Sequence, residues 1–114
     1  MEWYVAKLVY QIVSNKETAA PQIDEQYRLI RADEAGWALE KANTLGKLGE
    51  CKLTSYKNSF VEWKFINVVD LYEVGEMKDG AELFSHINEP ANLEEYMSVS
   101  QLKAKRWMEF YRYQ

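Results

Sequence analysis

The single histidine of this 114-residue chain, His86, is the first residue whose type could support catalysis. It alternates with Phe84 and Asn88 in a strand-like segment, and Glu82 and Glu89 are close in sequence. A carboxylate beside an imidazole fixes its tautomer, as a general base requires. The chain has no second histidine and no Gly-x-Ser-x-Gly nucleophile motif. The sequence therefore favours a non-catalytic protein, with no catalytic residues and no metal site.

The densest group of polar residues lies between positions 24 and 28, inside a predicted strand. On a strand, alternate side chains share a face, so Asp24 and Arg28 point one way and Glu25 points the other. One hypothesis is a pocket for a small polar ligand, with these candidate binding residues: Asp24, Arg28, Lys64 and His86. The alternative is a structural role, in which the charges form cross-strand pairs on a solvated face.

Cys51 is the single cysteine, so it cannot form a disulfide within the chain. It follows the predicted C-terminus of a helix, where the helix dipole disfavours a thiolate. We interpret Cys51 as an inert thiol. The five glycines are scattered and form no phosphate-binding loop, and we expect no cofactor.

The charge distribution argues against nucleic acid as a partner. The net charge is -4, whereas non-specific binding to a phosphate backbone depends on clustered Lys and Arg. Residues 70–95 contain eight acidic residues against Lys78 alone, and residues 96–114 contain four basic residues against Glu109. A basic, aromatic helix at this end could bind nucleic acid, a membrane or a partner. The favoured interpretation is an amphipathic helix that docks on its own domain with solvated Lys and Arg.

Two long strands are predicted at the start of the chain. From Trp3 to Val13, apolar side chains occupy every even position, the period of a strand with one buried face. The odd positions are also partly apolar, which favours a central strand. Residues 22–32 resume the extended pattern, and the two strands are predicted to form an antiparallel hairpin joined by a polar connection at residues 14–21.

A helix is predicted from Asp33, as its capping residue, to Gly46, as its C-terminal stop. Trp37 lies off the apolar stripe, toward an edge of the helix. The stripe consists mostly of small residues, which permit a close approach to a sheet: Ala35, Ala38, Leu39, Ala42 and Leu45.

Three strands and a second helix are predicted in the remaining chain. A short strand at residues 51–56 precedes a strong one at residues 60–72, and Asp79-Gly80 is a hairpin signal that leads into a strand at residues 81–87. After Pro90, a helix is predicted at residues 91–113, with apolar residues on more than one side. The apolar face of the strong strand is Val61, Trp63, Phe65, Val69 and Leu71, interrupted by Asn67.

The predicted order ββαβββα indicates an α+β fold, with a mainly antiparallel sheet of about five strands and two helices in one compact domain, residues 1–114. No signal peptide is recognisable at the N-terminus, and no apolar run approaches the roughly 20 residues of a membrane-spanning helix. We therefore expect a cytoplasmic protein without a membrane partner.

Four segments carry a resemblance to a known family: WYVAKLVYQI from Trp3, PQIDEQYRLI from Pro21, WKFINVVDLY from Trp63 and DGAELFSHINEP from Asp79. They resemble the shared segments of a small bacterial family termed domain of unknown function 4288. The resemblance implies a compact stand-alone bacterial domain without an established activity, and it supplies no catalytic residues.

Aromatic residues make up 14% of the chain, and so much ring area needs a core, an interface or a ligand to cover it. The interface candidates are Trp3, Trp107, Phe110 and Tyr111. The first functional hypothesis is a non-catalytic protein-interaction domain that forms a homo-oligomer or homodimer and engages a protein partner. The alternatives are a small enzyme or ligand-binding module, and an accessory or immunity-type protein that covers a basic partner.

Overall fold

The computed structural model describes residues 1–16 and 20–112, which form an antiparallel sheet and two helices. The elements in chain order are β1 (Glu2–Ser14), β2 (Gln22–Ala32), α1 (Ala35–Leu48), β3 (Cys51–Thr54), β4 (Phe60–Val74) and α2 (Leu93–Arg112). The strand order is β2-β1-β4-β3, and all neighbours are antiparallel. The predicted α+β class and the central position of β1 are confirmed. Residues 17–19 of the predicted connection and Tyr113 of the predicted second helix lie outside the described residues.

The two faces of the sheet are covered by different parts of the chain, and the alternating side chains of β1 show which face is which. Its even residues Tyr4, Ala6, Leu8 and Tyr10 are buried in the core beneath α1. Its odd residues, among them Lys7, point to the opposite side because side chains alternate along a strand. We call the first side the α1 face and the second the outer face.

Small residues bring α1 close to the sheet, as its sequence predicts. Ala38, Ala42 and Gly46 are the buried residues of the helix. A Cβ at Gly46 would overlap the ring of Phe65, so the helix can lie this close only because glycine occupies the position. The hydroxyl of Tyr10 donates a buried hydrogen bond of 2.7 Å to the carbonyl of Gly46.

The predicted capping role of Asp33 is wrong, because the helix begins one residue later than that role requires. Glu34 is the N-terminal cap residue, in an extended conformation, and its side chain makes no capping hydrogen bond. The main contribution to the position of α1 is therefore its packing on the sheet rather than its cap.

Two irregularities in β4 change which of its residues face α1. The pairing with β1 shifts between Lys7 and Leu8 and again between Val9 and Tyr10, so β4 contributes one extra residue at each place. Val68 therefore packs against the core, whereas the predicted core residue Val69 is exposed. Asn67 pairs with Val9 on the outer face, which explains why a polar residue interrupts the predicted apolar series.

The predicted strand at residues 81–87 is wrong. The Asp79-Gly80 turn does form, with the amide of Ala81 donating to the carbonyl of Lys78, but residues 81–87 adopt no strand. Instead, the ring of Phe84 stacks on Tyr27 and Tyr72 of the outer face, with centroids 4.9 and 5.7 Å apart. The segment at residues 81–87 therefore packs on the outer face through an aromatic ring and does not form the predicted strand hydrogen bonds at an edge of the sheet.

Helix α2 is present where the sequence predicts it, but its expected docking on the rest of the chain is wrong. Every residue from Leu93 to Arg112 is exposed. Its apolar side chains therefore contribute nothing to the core beneath α1.

We predict that Gly46→Ala destabilises the fold, because the added methyl group must displace the ring of Phe65 from the core. Overpacking of this kind costs about 1–3 kcal/mol, measured by urea unfolding. Gly36→Ala is the matched control in the same helix, since nothing lies within 4 Å of the added Cβ. Equal unfolding free energies for the two variants would contradict the close approach at Gly46.

We predict that Tyr10→Phe loses about 0.5–1.5 kcal/mol at neutral pH, the contribution of one hydrogen bond. Burial raises the pKa of the Tyr10 hydroxyl above its ordinary value of 10.0. The stabilisation is therefore complete below pH 10.0 and is lost as the pH rises through the folded-state pKa. The difference between wild type and variant should narrow in alkaline urea titrations, and a difference that stays constant would argue against this role of the hydroxyl.

Candidate functional site

Helix α2 begins with a well-formed cap. The side-chain oxygen of Asn92 accepts a hydrogen bond of 3.0 Å from the backbone amide of Glu95. The backbone carbonyl of Asn92 accepts one from the backbone amide of Tyr96. Glu94 and Glu95 lie in the first turn and Arg112 in the last. The charges at both ends therefore interact favourably with the helix dipole and stabilise the helix. These local features define the helix, although no residue of it is buried by residues 1–16 and 20–112.

Three aromatic rings near the end of α2 contact one another rather than the sheet. Trp107 stacks on Tyr111, with centroids 5.7 Å apart and 15° between the planes. Phe110 meets Tyr111 edge-on at 5.0 Å and Trp107 edge-on at 6.2 Å. The spacings of three and four residues place these rings on adjoining sides of the helix. We call Trp107, Phe110 and Tyr111 the aromatic cluster.

The aromatic cluster remains largely in contact with solvent. Trp107, Phe110 and Tyr111 are 61%, 59% and 59% exposed, and further large apolar side chains of α2 are exposed with them. Trp3, the fourth predicted interface residue, lies elsewhere: it is half-buried on β1, with the guanidinium of Arg31 5.3 Å from the centre of its ring. Three of the four predicted interface residues therefore share one surface, and Trp3 does not.

Two of the predicted ligand-binding residues, Asp24 and Arg28, belong to a chain of hydrogen bonds on the α1 face. Asp24 accepts bonds from Gln26, at 2.7 Å, and from the indole of Trp63, at 3.2 Å. Arg28 donates two bonds to the amide oxygen of Gln26. The bond to Trp63 links β2 to β4 across β1, so this network ties the sheet together.

The other two candidates, Lys64 and His86, lie away from that network. Lys64 pairs with Gln11 and therefore faces outward, 4.0 Å from the carboxylate of Glu62. His86 lines a small cavity on the outer face. The predicted pocket that would contain all four side chains is thus not formed, because strand alternation places them on opposite faces of the sheet.

The cavity beside His86 is lined mostly by residues outside the predicted ligand-binding set. Its lining is Lys7, Tyr27, Asp70, Tyr72, Phe84 and His86, and its volume is about 150 Å³. That is room for about five water molecules at ~30 Å³ each, well below the size of an ordinary ligand pocket. The register between β1 and β4, which pairs Lys7 with Asp70, assembles the site and is not readable from residue spacing.

The ammonium of Lys7 is already engaged at this cavity. It lies 3.1 Å from the carboxylate of Glu25 and 5.7 Å from the ring centre of Tyr27. The hydrogen bond with Glu25 raises the pKa of Lys7 above its ordinary value. A charged amine held in this way supports the outer face and is not available as a general base.

A larger open groove of about 680 Å³ lies between the end of β2 and α1. Trp37 lines it, 60% exposed, which confirms its predicted place off the apolar stripe. The two side-chain cations of the groove each have a contact within the chain: Lys41 donates to the carbonyl of Arg31 at 2.9 Å, and Arg31 lies over Trp3. The N-terminal ammonium of Met1, which also lines the groove, lies 4.0 Å from the carboxylate of Asp33.

Cys51 is exposed at the start of β3. Within residues 1–16 and 20–112, no three His, Cys, Asp or Glu side chains are grouped so that they could hold a metal ion. Neither α1 nor α2 has the length and apolar character needed to cross a membrane. The exposed face of α2 is thus the most distinctive surface that the described residues offer.

We predict that Phe84→Ala loses about 1–3 kcal/mol in urea unfolding, because each of its two aromatic contacts contributes about 0.5–1.5 kcal/mol. Ile87→Ala is the control from the same segment, since Ile87 is 91% exposed. Its loss should stay within about 0.5 kcal/mol. Similar losses for both variants would mean that the segment does not pack through Phe84.

Comparison with known proteins gives a family but no activity. No curated protein and no solved structure matches the chain. One family model, described as a domain of unknown function, matches residues 3–85, which include the sheet except its first residue, α1 and Phe84 but end before α2. Because this match covers more than half of the chain, the protein belongs to the DUF4288 family.

Proposed function

We propose that this chain is a non-catalytic protein-interaction domain that self-associates, and that α2 is its self-association surface. The observation that supports this most is the exposure of nine large apolar side chains on one 20-residue helix. Extensive exposed apolar surface marks interaction sites in soluble proteins. The aromatic cluster supplies the Trp and Tyr residues that dominate the binding energy of interfaces.

Helix stability supports the same proposal. Most helical stability in proteins comes from packing of an apolar face rather than from the helix alone. Helix α2 has such a face, and none of its residues is buried by the described part of the chain. Packing against another molecule would stabilise the helix and remove its rings from water.

The two alternatives drawn from the sequence stay predictions. A small-ligand module that uses His86 would bind in the cavity beside it, which is small and whose lysine is already paired with Glu25. A protein that covers a basic partner would use the acidic residues between β4 and α2. Neither has a surface as well defined as α2.

We expect the wild-type protein to sediment as a concentration-dependent dimer. Trp107→Ala should weaken dimerisation at least tenfold, which corresponds to about 1.4 kcal/mol. Tyr111→Glu should abolish it, because a carboxylate would be buried in an apolar contact. Sedimentation velocity over a range of protein concentrations measures both effects.

Tyr56→Ala is the matched control, since it also removes an aromatic ring that is highly exposed, at 87%, but lies outside α2. It should dimerise like the wild type. A wild-type protein that stays monomeric at every concentration would refute the proposal, and so would a Trp107→Ala variant that dimerises as strongly as the control.

A further inference from the structure

Four large apolar residues and two small residues of α2, Ser100 and Ala104, have the spacing of a coiled-coil seam. Counted along the helix they are separated by four, three, four, three and four residues: Leu93, Met97, Ser100, Ala104, Trp107 and Tyr111. At about 100° per residue these six positions fall within an arc of about 80°, which is one narrow stripe. Alternating steps of four and three residues are the pattern with which one helix packs along another.

We propose that two copies of the chain pair through this stripe with their α2 helices antiparallel. This inference rests on the proposed function and adds its geometry. An antiparallel pair centred on Leu102 places Leu93 opposite Tyr111 of the partner subunit and Met97 opposite Trp107 of the partner subunit. Ser100 then lies opposite Ala104 of the partner subunit. The stripe is complementary to itself, because large residues at the ends face large ones and the two small residues meet at the centre.

The charges of α2 favour the antiparallel arrangement. Glu94 and Glu95 lie in the first turn, and Lys105, Arg106 and Arg112 lie in the second half. In the antiparallel pair, Glu94 is on the same flank as Arg112 of the partner subunit and about two residues from its level. The helix dipoles also oppose each other, so each negative end lies beside a positive one.

A parallel pair would bring like groups together. The acidic first turns would be adjacent, the basic second halves would be adjacent, and Trp107 would meet Trp107 of the partner subunit in one layer. Like charges held next to each other destabilise helix pairs. The charge that opposes the antiparallel pair is Lys103, which lies near its own copy at the centre. Its long side chain can extend into solvent from the flank of the stripe.

Disulfide trapping tests this register on the full-length chain. In a Cys51→Ser background, which removes the exposed native thiol, two single variants are prepared: Ser100→Cys and Ala104→Cys. Each is oxidised alone and as an equal mixture with copper-phenanthroline, and the products are separated on a non-reducing gel. The antiparallel pair predicts a cross-linked dimer in the mixture.

Each variant oxidised alone should give little cross-linking. In its own antiparallel dimer the two thiols are four residues apart along the axis, which is about 6 Å in addition to the lateral separation of the helices. The resulting Cα–Cα distance between the two cysteines exceeds the limit of about 7 Å that a disulfide can bridge. Cross-linking of each variant alone, without a gain in the mixture, would show a parallel pair and overturn the inference.

Sedimentation of the same variants before oxidation tests self-association separately from the antiparallel register. If the variants are dimers and the mixture does not cross-link, the antiparallel register is wrong and the proposed self-association stands. If the Cys51→Ser protein itself is monomeric at every concentration, both are wrong.

Discussion

The arrangement of the whole molecule depends on how closely α1 approaches the sheet. Ala38 and Ala42 present no bulk, and the absent side chain of Gly46 leaves room for the ring of Phe65. The hydroxyl of Tyr10 then reaches the carbonyl of Gly46 at 2.7 Å and satisfies a polar group within the core. Because this contact occupies the α1 face, any further element must find its cover on the outer face or outside the chain.

The outer face receives a covering segment rather than a second helix. Phe84 stacks on Tyr27 and Tyr72, and the segment that carries it turns at Asp79-Gly80 without adding a strand. Helix α2 is therefore left with an apolar stripe that neither face of the sheet covers. The matched family region ends at residue 85, before α2 begins. Self-association would give this helix the burial that its own chain does not provide.

Much of the fold follows from local patterns, and the errors arise where tertiary packing decides. The period-2 runs predicted β1, β2 and β4, and the small-residue stripe predicted the buried side of α1. Val68 packs against the core in place of Val69 because of two irregularities in the pairing of β4 with β1. In the sequence, the polar residue Asn67 is the one sign of them. The extra strand was wrongly predicted because the hairpin signal specifies a turn but not what the chain pairs with afterwards. At the site, three of the four interface candidates selected from the sequence lie on α2, whereas the exposure of the whole helix and the separation of Asp24 from His86 depend on tertiary packing and strand register.

Hydrogen exchange at several protein concentrations tests the central claim, that the apolar stripe of α2 is buried only between molecules. The amides of residues 93–112 should exchange rapidly in dilute protein and become protected as the concentration rises, because an isolated helix of this length opens readily. The amides of β1 and β4 should be protected equally throughout, since their ladder lies within one chain. Protection of α2 that does not change with concentration would contradict the account.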